Sequence, residues 1–184
     1  MIVISDTTPL NYLVLIGQQE LLARLFERVI IPRAVWTELQ AEATPEPVRA
    51  WFDSQPKWLE VRQANLPADA ALAALGYGEQ EAILLAQELN ADLLLIDDKD
   101  GRLEAMRRNL SIVGTLGVLD KAAERGLLDL PETLARLQQT TFRVHTELIT
   151  AMLEQDAERK LRQRFDDILK KVPDVEPDDQ DRME

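Results

Sequence analysis

Apolar positions along this chain follow two spacings. Ile2-Val3-Ile4, Val29-Ile30-Ile31 and Leu93-Leu94-Leu95-Ile96 are unbroken apolar runs bounded by charge or turn residues. That is the pattern of strands buried on both faces of a parallel sheet. Trp58-Leu59-Glu60-Val61 alternates as a strand does, and Ile112-Val113 is a minimal fifth run. Between these runs the apolar residues return every three or four positions, which is the helical period. The spacing predicts helices up to Gly17 from a start near Pro9, and over 20–26, 34–43, 48–54, 79–89, 102–109, 115–125, 131–138 and 146–164. A helical turn is expected within 66–75. The punctuation agrees: Thr7 or Thr8 can cap the first helix with Pro9 in its first turn. Pro32 stops the second strand, and Pro45, Pro47 and Pro56 break up the middle of the chain. Gly76-Tyr77-Gly78 leads into the helix at 79, and Gly126 ends the one that begins at Thr115.

Strands alternating with helices imply an α/β fold with a mainly parallel sheet flanked by helices, and extra helices at the C-terminal end. The 184 residues suit one domain with additions. We expect a domain over 1–130, a helical extension over 131–172 packing on it, and a disordered acidic tail over 173–184. No run reaches the roughly 18 apolar residues of a membrane span. The N-terminal run has neither a basic segment before it nor a small-residue cleavage site after it. The chain has no cysteine. That excludes disulfides, thiolate zinc sites and cysteine nucleophiles, and it is compatible with a cytoplasmic location.

Charge changes this picture in one respect. The formal net charge is -12, and residues 173–184 hold six acids and one Arg, a share of -5, which leaves -7 for residues 1–172. Such a surface argues against broad, non-specific nucleic-acid binding. An RNA substrate would need a local basic patch and cations that invert the sign of the site.

Two strand-like runs end in acid: Ile4-Ser5-Asp6 and Leu95-Ile96-Asp97-Asp98. In an open parallel sheet, ligand sites lie beyond the carboxyl ends of strands. Glu79 opens a helix just after two glycines, and Glu38 shares a helix side with Val35 and Leu39. Each acid has a plain structural use. Asp6 can cap a helix, Asp97 and Asp98 can form a turn, and Glu79 can complement a helix dipole. Together they say more, because converging carboxylates repel one another and usually mark a bound cation. All-oxygen ligands suit Mg2+ or Mn2+ rather than zinc. Such ions support hydrolytic phosphodiester chemistry.

Five segments in order carry a resemblance: Ser5-Asp6-Thr7-Thr8-Pro9-Leu10, Pro32-Arg33-Ala34-Val35-Trp36-Thr37-Glu38-Leu39, Gly78-Glu79-Gln80-Glu81-Ala82-Ile83, Leu94-Leu95-Ile96-Asp97-Asp98 with Arg102 following, and Gly114-Thr115-Leu116-Gly117-Val118-Leu119. Over about residues 1–130 the chain resembles PIN-domain proteins, and in particular the branch similar to VapC-type toxins. The resemblance implies a metal-dependent endoribonuclease whose Asp6, Glu38, Glu79 and Asp97 or Asp98 bind one or two Mg2+ or Mn2+ ions and act in catalysis. It implies that Thr7 holds a carboxylate or metal-bound water, and that Thr115 supports the site in a similar way. An RNA substrate, a small antitoxin protein and a homodimer are further implications. Many VapC relatives carry Asp on the middle helix, where this chain offers Glu79 and Glu81. Glu79 is preferred because Ala82, Ile83 and Ala86 lie on its side of the helix. Many relatives also place Thr or Ser just before the last Asp, where this chain reads Ile96-Asp97-Asp98, so Asp97 and Asp98 remain alternatives. Arg102 either meets a phosphate or pairs with a site carboxylate.

Other features are set aside. His145 is the sole histidine and has no nearby partner. Gly114-Thr115-Leu116-Gly117 lacks the full dinucleotide fingerprint and the phosphate-loop lysine. A receiver-like phosphoacceptor domain would need a Lys closing a later strand, where this chain has Gly114-Thr115. A non-catalytic PIN scaffold that binds RNA or a protein partner is the alternative function.

Overall fold

The computed structural model describes residues 1–171, apart from Gln55 and Ala68. The chain divides into two compact units, Met1–Val144 and His145–Glu184. The first is a five-stranded sheet in the order β3-β2-β1-β4-β5, with every pairing parallel. The strands are β1 (Val3–Ser5), β2 (Val29–Pro32), β3 (Leu59–Arg62), β4 (Leu93–Leu95) and β5 (Ile112–Val113). Around them run α1 (Thr7–Leu15), α2 (Leu21–Phe26), α3 (Arg33–Leu39), α4 (Glu46–Asp53), α5 (Tyr77–Glu88), α6 (Lys99–Arg107), α7 (Thr115–Glu124) and α8 (Leu130–Gln138). A short 3-10 turn covers Ala70–Leu72. The second unit is described by α9 (Thr146–Leu169). No helix among the described residues is long and apolar enough to cross a membrane.

The strands lie where the apolar runs predict them. β1 is central, between β2 and β4, with Ile4 opposite both Ile30 and Leu94. All three of its residues are buried, as a strand covered on both faces requires. α5 packs on β1, β2 and β4, and its Ala82, Ile83, Leu85 and Ala86 join Ile4, Ile30, Leu94 and Ile96 in one apolar cluster. α1 meets α3, α4 and α7.

Several helix ends differ from the spacing. α3 stops at Leu39 rather than 43, because the Glu38 carbonyl turns to accept from the Ala41 N–H (3.1 Å) and the Thr44 hydroxyl (2.7 Å). α4 begins at Glu46, since Pro47 fits a first helical turn. α6 begins at Lys99 rather than 102, because Asp98 caps it through the N–H groups of Asp100 (2.8 Å) and Gly101 (3.4 Å). α9 continues past 164 to Leu169, with no breaker before Pro173. The expected acidic tail lies outside the described residues.

The strand order reverses between β1 and β4. The chain moves outward from β1 to β2 and β3, then returns to the other side of β1 for β4 and β5. Such a reversal opens a crevice at the carboxyl ends of the two strands. Asp6 follows β1 and Asp97-Asp98 follow β4, so the fold places acids on both walls of that crevice. The Asp6 N–H donates to the Leu95 carbonyl at 2.9 Å, which locks the two strand ends in register.

Candidate active site

Asp6 ends β1 and caps α1. It is 2% exposed, and its Oδ2 accepts a long 3.5 Å bond from the Thr8 N–H. Burial is the main force on its carboxyl group; with the nearby charges of Glu79 and Glu38 it raises the pKa to about 7, against the pull of the Thr7 and Thr8 amides. A group in this state is short of positive partners.

Glu38 reaches the same region from α3. Its Oε2 accepts from the Thr7 hydroxyl, and its Oε1 accepts from the Gly78 N–H at 2.9 Å. Glu38 is therefore pinned between the start of α1 and the start of α5. The absence of a side chain at residue 78 permits this, since a Cβ there would lie 2.6 Å from Glu38 Oε2.

Glu79 sits in the first turn of α5, where its Oε2 accepts from the Gly76 N–H at 3.0 Å. Its other oxygen comes close to the start of α6, where a Cβ on Gly101 would stand 3.1 Å from Oε1. Burial raises its pKa, and the charges of Asp98, Glu38 and Asp100 add to the rise. Glu81 has a different use. Its Oε2 accepts from the Ala34 N–H (2.6 Å) and its Oε1 from the Ala64 N–H (3.1 Å). With both oxygens committed to backbone amides, it ties α5 to the start of α3 and to the loop after β3.

Asp97 and Asp98 point to different tasks. Asp97 Oδ1 accepts from the Thr115 N–H at 2.8 Å, and Oδ2 from the Thr115 hydroxyl at 2.5 Å. Burial raises its pKa, against these two bonds and the charge of Arg102. Arg102 donates to the Ile96 carbonyl at 2.9 Å. Gly114 makes room for this group, because a Cβ there would lie 2.6 Å from Asp97 Oδ1 and 3.2 Å from Arg102 Nη1. Asp98 is exposed, caps α6, and acts electrostatically on Glu79.

Asp6 thus feels the charges of Glu79 and Glu38, and Glu79 those of Asp98 and Glu38, while Asp97 is tied to Thr115 beside Arg102. Among the described residues, no three acids converge closely enough to hold a metal ion. The donor chemistry nonetheless fits a hard divalent cation: the groups around the crevice are carboxylate and hydroxyl oxygens. Asp6 is the buried acid that such a cation would neutralise. The sequence reading missed three things. These are the Glu81 clamp, the presence of Asp100 beside Glu79, and the close approach of Gly78, Gly101 and Gly114 to site acids. Only the Gly78-Glu79 junction carried a local signal, as a glycine at a helix start.

A family model described as a PIN domain matches residues 2–158. Among solved structures, the chain is similar to a PilT N-terminus domain protein from the hyperthermophilic archaeon Sulfolobus solfataricus P2. That likeness has 19% sequence identity, covers 79% of this chain and 100% of the other, and has a TM-score of 0.46. No curated protein matches the chain. PIN domains are generally nucleases. The matched span runs from β1 into α9 and takes in every acid of the crevice, so the chain belongs to the PIN-domain family.

Proposed function

We propose that this protein is a Mg2+- or Mn2+-dependent endoribonuclease of the VapC-like branch, acting as the toxin of a toxin–antitoxin pair. The observation that carries the reading is Asp6, a buried carboxylate at the strand-order reversal whose pKa is raised to about 7 by burial and by Glu79 and Glu38. A site that keeps such a costly arrangement is one where a cation completes it.

In this reading Asp6, Glu38, Glu79 and the Asp97–Asp98 pair would hold the ion. A bound ion supplies a nucleophilic water near neutral pH and clamps the oxygens of the reacting phosphate. The protein's own groups prepare the place. The Thr7 hydroxyl and Gly78 N–H fix the Glu38 carboxylate. The Gly76 N–H holds one oxygen of Glu79. Thr115 anchors Asp97, and the Ile96 carbonyl steadies the Arg102 guanidinium near the rim, where a phosphate would meet it. The VapC resemblance supports a small antitoxin protein, a homodimer and a cytoplasmic location. A short neighbouring reading frame for a DNA-binding protein would agree.

Cleavage of defined RNAs with and without Mn2+ tests the reading. Asp6→Asn and Glu79→Gln should each lower the rate at least about a hundredfold. Metal-dependent cleavage that survives both changes overturns the assignment. A second reading, a non-catalytic scaffold that binds RNA or a protein, is favoured by the lack of a converged acid trio among the described residues. Titration with Mn2+ separates the two, since a scaffold takes up no ion at this site.

A further inference from the structure

The body of the chain is acidic, and an RNA phosphate meets repulsion over most of it. One part of the first unit is different. A groove of about 630 Å³ runs along β3, the edge strand of the sheet, and is lined by Arg28, Arg33, Trp36, Lys57 and Glu60 among others. A second hollow of about 410 Å³ lies between Arg33, Thr37, Glu38, Gln63, Tyr77 and Glu81, whose two carboxylate oxygens are taken up by the Ala34 and Ala64 N–H groups. Arg33 lines both. Since Glu38 is one of the crevice acids, the two hollows form a path that leaves the site over α3 and continues along β3.

The chemistry of the path is that of a single strand's partner. Glu60, the acid of the larger groove, is paired with Arg28 and with Arg62. Arg33 and Lys57 are exposed and, among the described residues, make no ion pair, so their charge is available to phosphates. Trp36 is held edge-on against Phe52, with ring centroids 6.0 Å apart, and keeps part of its ring open to the groove. Tyr77, at the first residue of α5 and next to the crevice, is 81% exposed. Unpaired cations alternating with aromatic rings track a backbone and stack unpaired bases. A duplex keeps its bases stacked on one another and offers none to these rings.

The geometry points to this path as the track for a single-stranded RNA substrate, with Arg33 and Lys57 as phosphate contacts and Tyr77 as the stacking platform beside the crevice. The inference rests on the ribonuclease reading and adds where the strand lies. It also gives an acidic protein a way to meet a polyanion: through the unpaired cations Arg33 and Lys57 on one narrow track rather than a broad basic face.

Fluorescence anisotropy with a labelled single-stranded 12-nucleotide RNA, in Ca2+ without turnover, tests the track on the full chain. The double variant Arg33→Ala/Lys57→Ala should raise Kd at least about tenfold and lower the salt slope by about 1 to 1.5. Tyr77→Ala should weaken binding about tenfold and Tyr77→Phe should restore it, because the ring does the stacking. Wild-type binding and cleavage that are both unaffected by the groove variants overturn the track and leave the ribonuclease reading standing. A parent protein that neither binds nor cleaves RNA overturns both. Equal affinity for the matching duplex, or for a poly-glutamate peptide of similar length, overturns the assignment to single-stranded RNA. Circular dichroism of each variant identifies any loss due to misfolding, and the Tyr77 pair carries the test if the double variant does not fold.

Discussion

Asp6 has a stability cost that pH should expose. Its pKa in the folded chain is about 7 against an ordinary 3.8, so between these values the folded state binds more protons than the unfolded one. The contribution of Asp6 to the stability of the metal-free protein is therefore complete below about pH 4 and lost as pH rises to about 7, by up to about 4 kcal/mol at 1.36 kcal/mol per unit. Urea unfolding at pH 5 and pH 8 measures this. Asp6→Asn should flatten the difference and unfold later than the parent at pH 8. Mn2+ should stabilise the parent at pH 8 and do little for the variant. Glu79 and Glu81 should part company in the same assay. Glu81→Ala strips the acceptor from two backbone amides, of Ala34 and Ala64, and should cost about 2 to 4 kcal/mol. Glu79→Gln should leave the unfolding midpoint near that of the parent but remove Mn2+ uptake. The reverse result would assign the ligand role to Glu81.

At the scale of elements, the site depends on how closely helices approach one another. α3 and α5 meet where Gly78 faces Glu38, and a Cβ there would collide with a carboxylate fixed by Thr7. Gly78→Ala should therefore displace Glu38 and lower cleavage more than about tenfold, with a smaller loss in stability. Gly114→Ala should act in the same way on Asp97. Steady-state cleavage rates beside thermal melts check both; unchanged rates would show that these carboxylates tolerate displacement. Local pattern made the elements themselves legible, since a buried strand or an amphipathic helix writes its period into consecutive residues. It also placed Asp6, Asp97 and Asp98 at strand ends. The sheet order was not legible, because neighbours such as Val3 and Leu93 lie far apart in the chain. The division of labour between Asp97 and Asp98 was hidden for the same reason. It depends on Thr115 and Glu79, which belong to α7 and α5 and are brought near only by the finished fold. The capping role of Asp98 was local but was read as part of a turn, which delayed the expected start of α6 to Arg102.

Across the whole molecule, charge sets how the protein would meet the RNA of the proposed reading. Residues 173–184 carry -5 of the -12. Their removal should raise the association rate with RNA at low ionic strength, and the gain should disappear as salt screens the repulsion. Stopped-flow mixing of the full chain and of a chain ending at Val172 measures it; equal rates at low salt would mean that the segment does not oppose the approach. The central place of β1 has a further outcome, one that concerns synthesis. Ile4 is made early, yet its partners are Ile30 and, much later, Leu94. While the ribosome has delivered only the first half of the chain, β1 has one neighbour, Asp6 has no β4 strand end beside it, and Thr115 does not yet exist to hold Asp97. The crevice acids can come together only after Thr115 has been made, so in the ribonuclease reading the shorter nascent polypeptide is harmless to the messenger that encodes it.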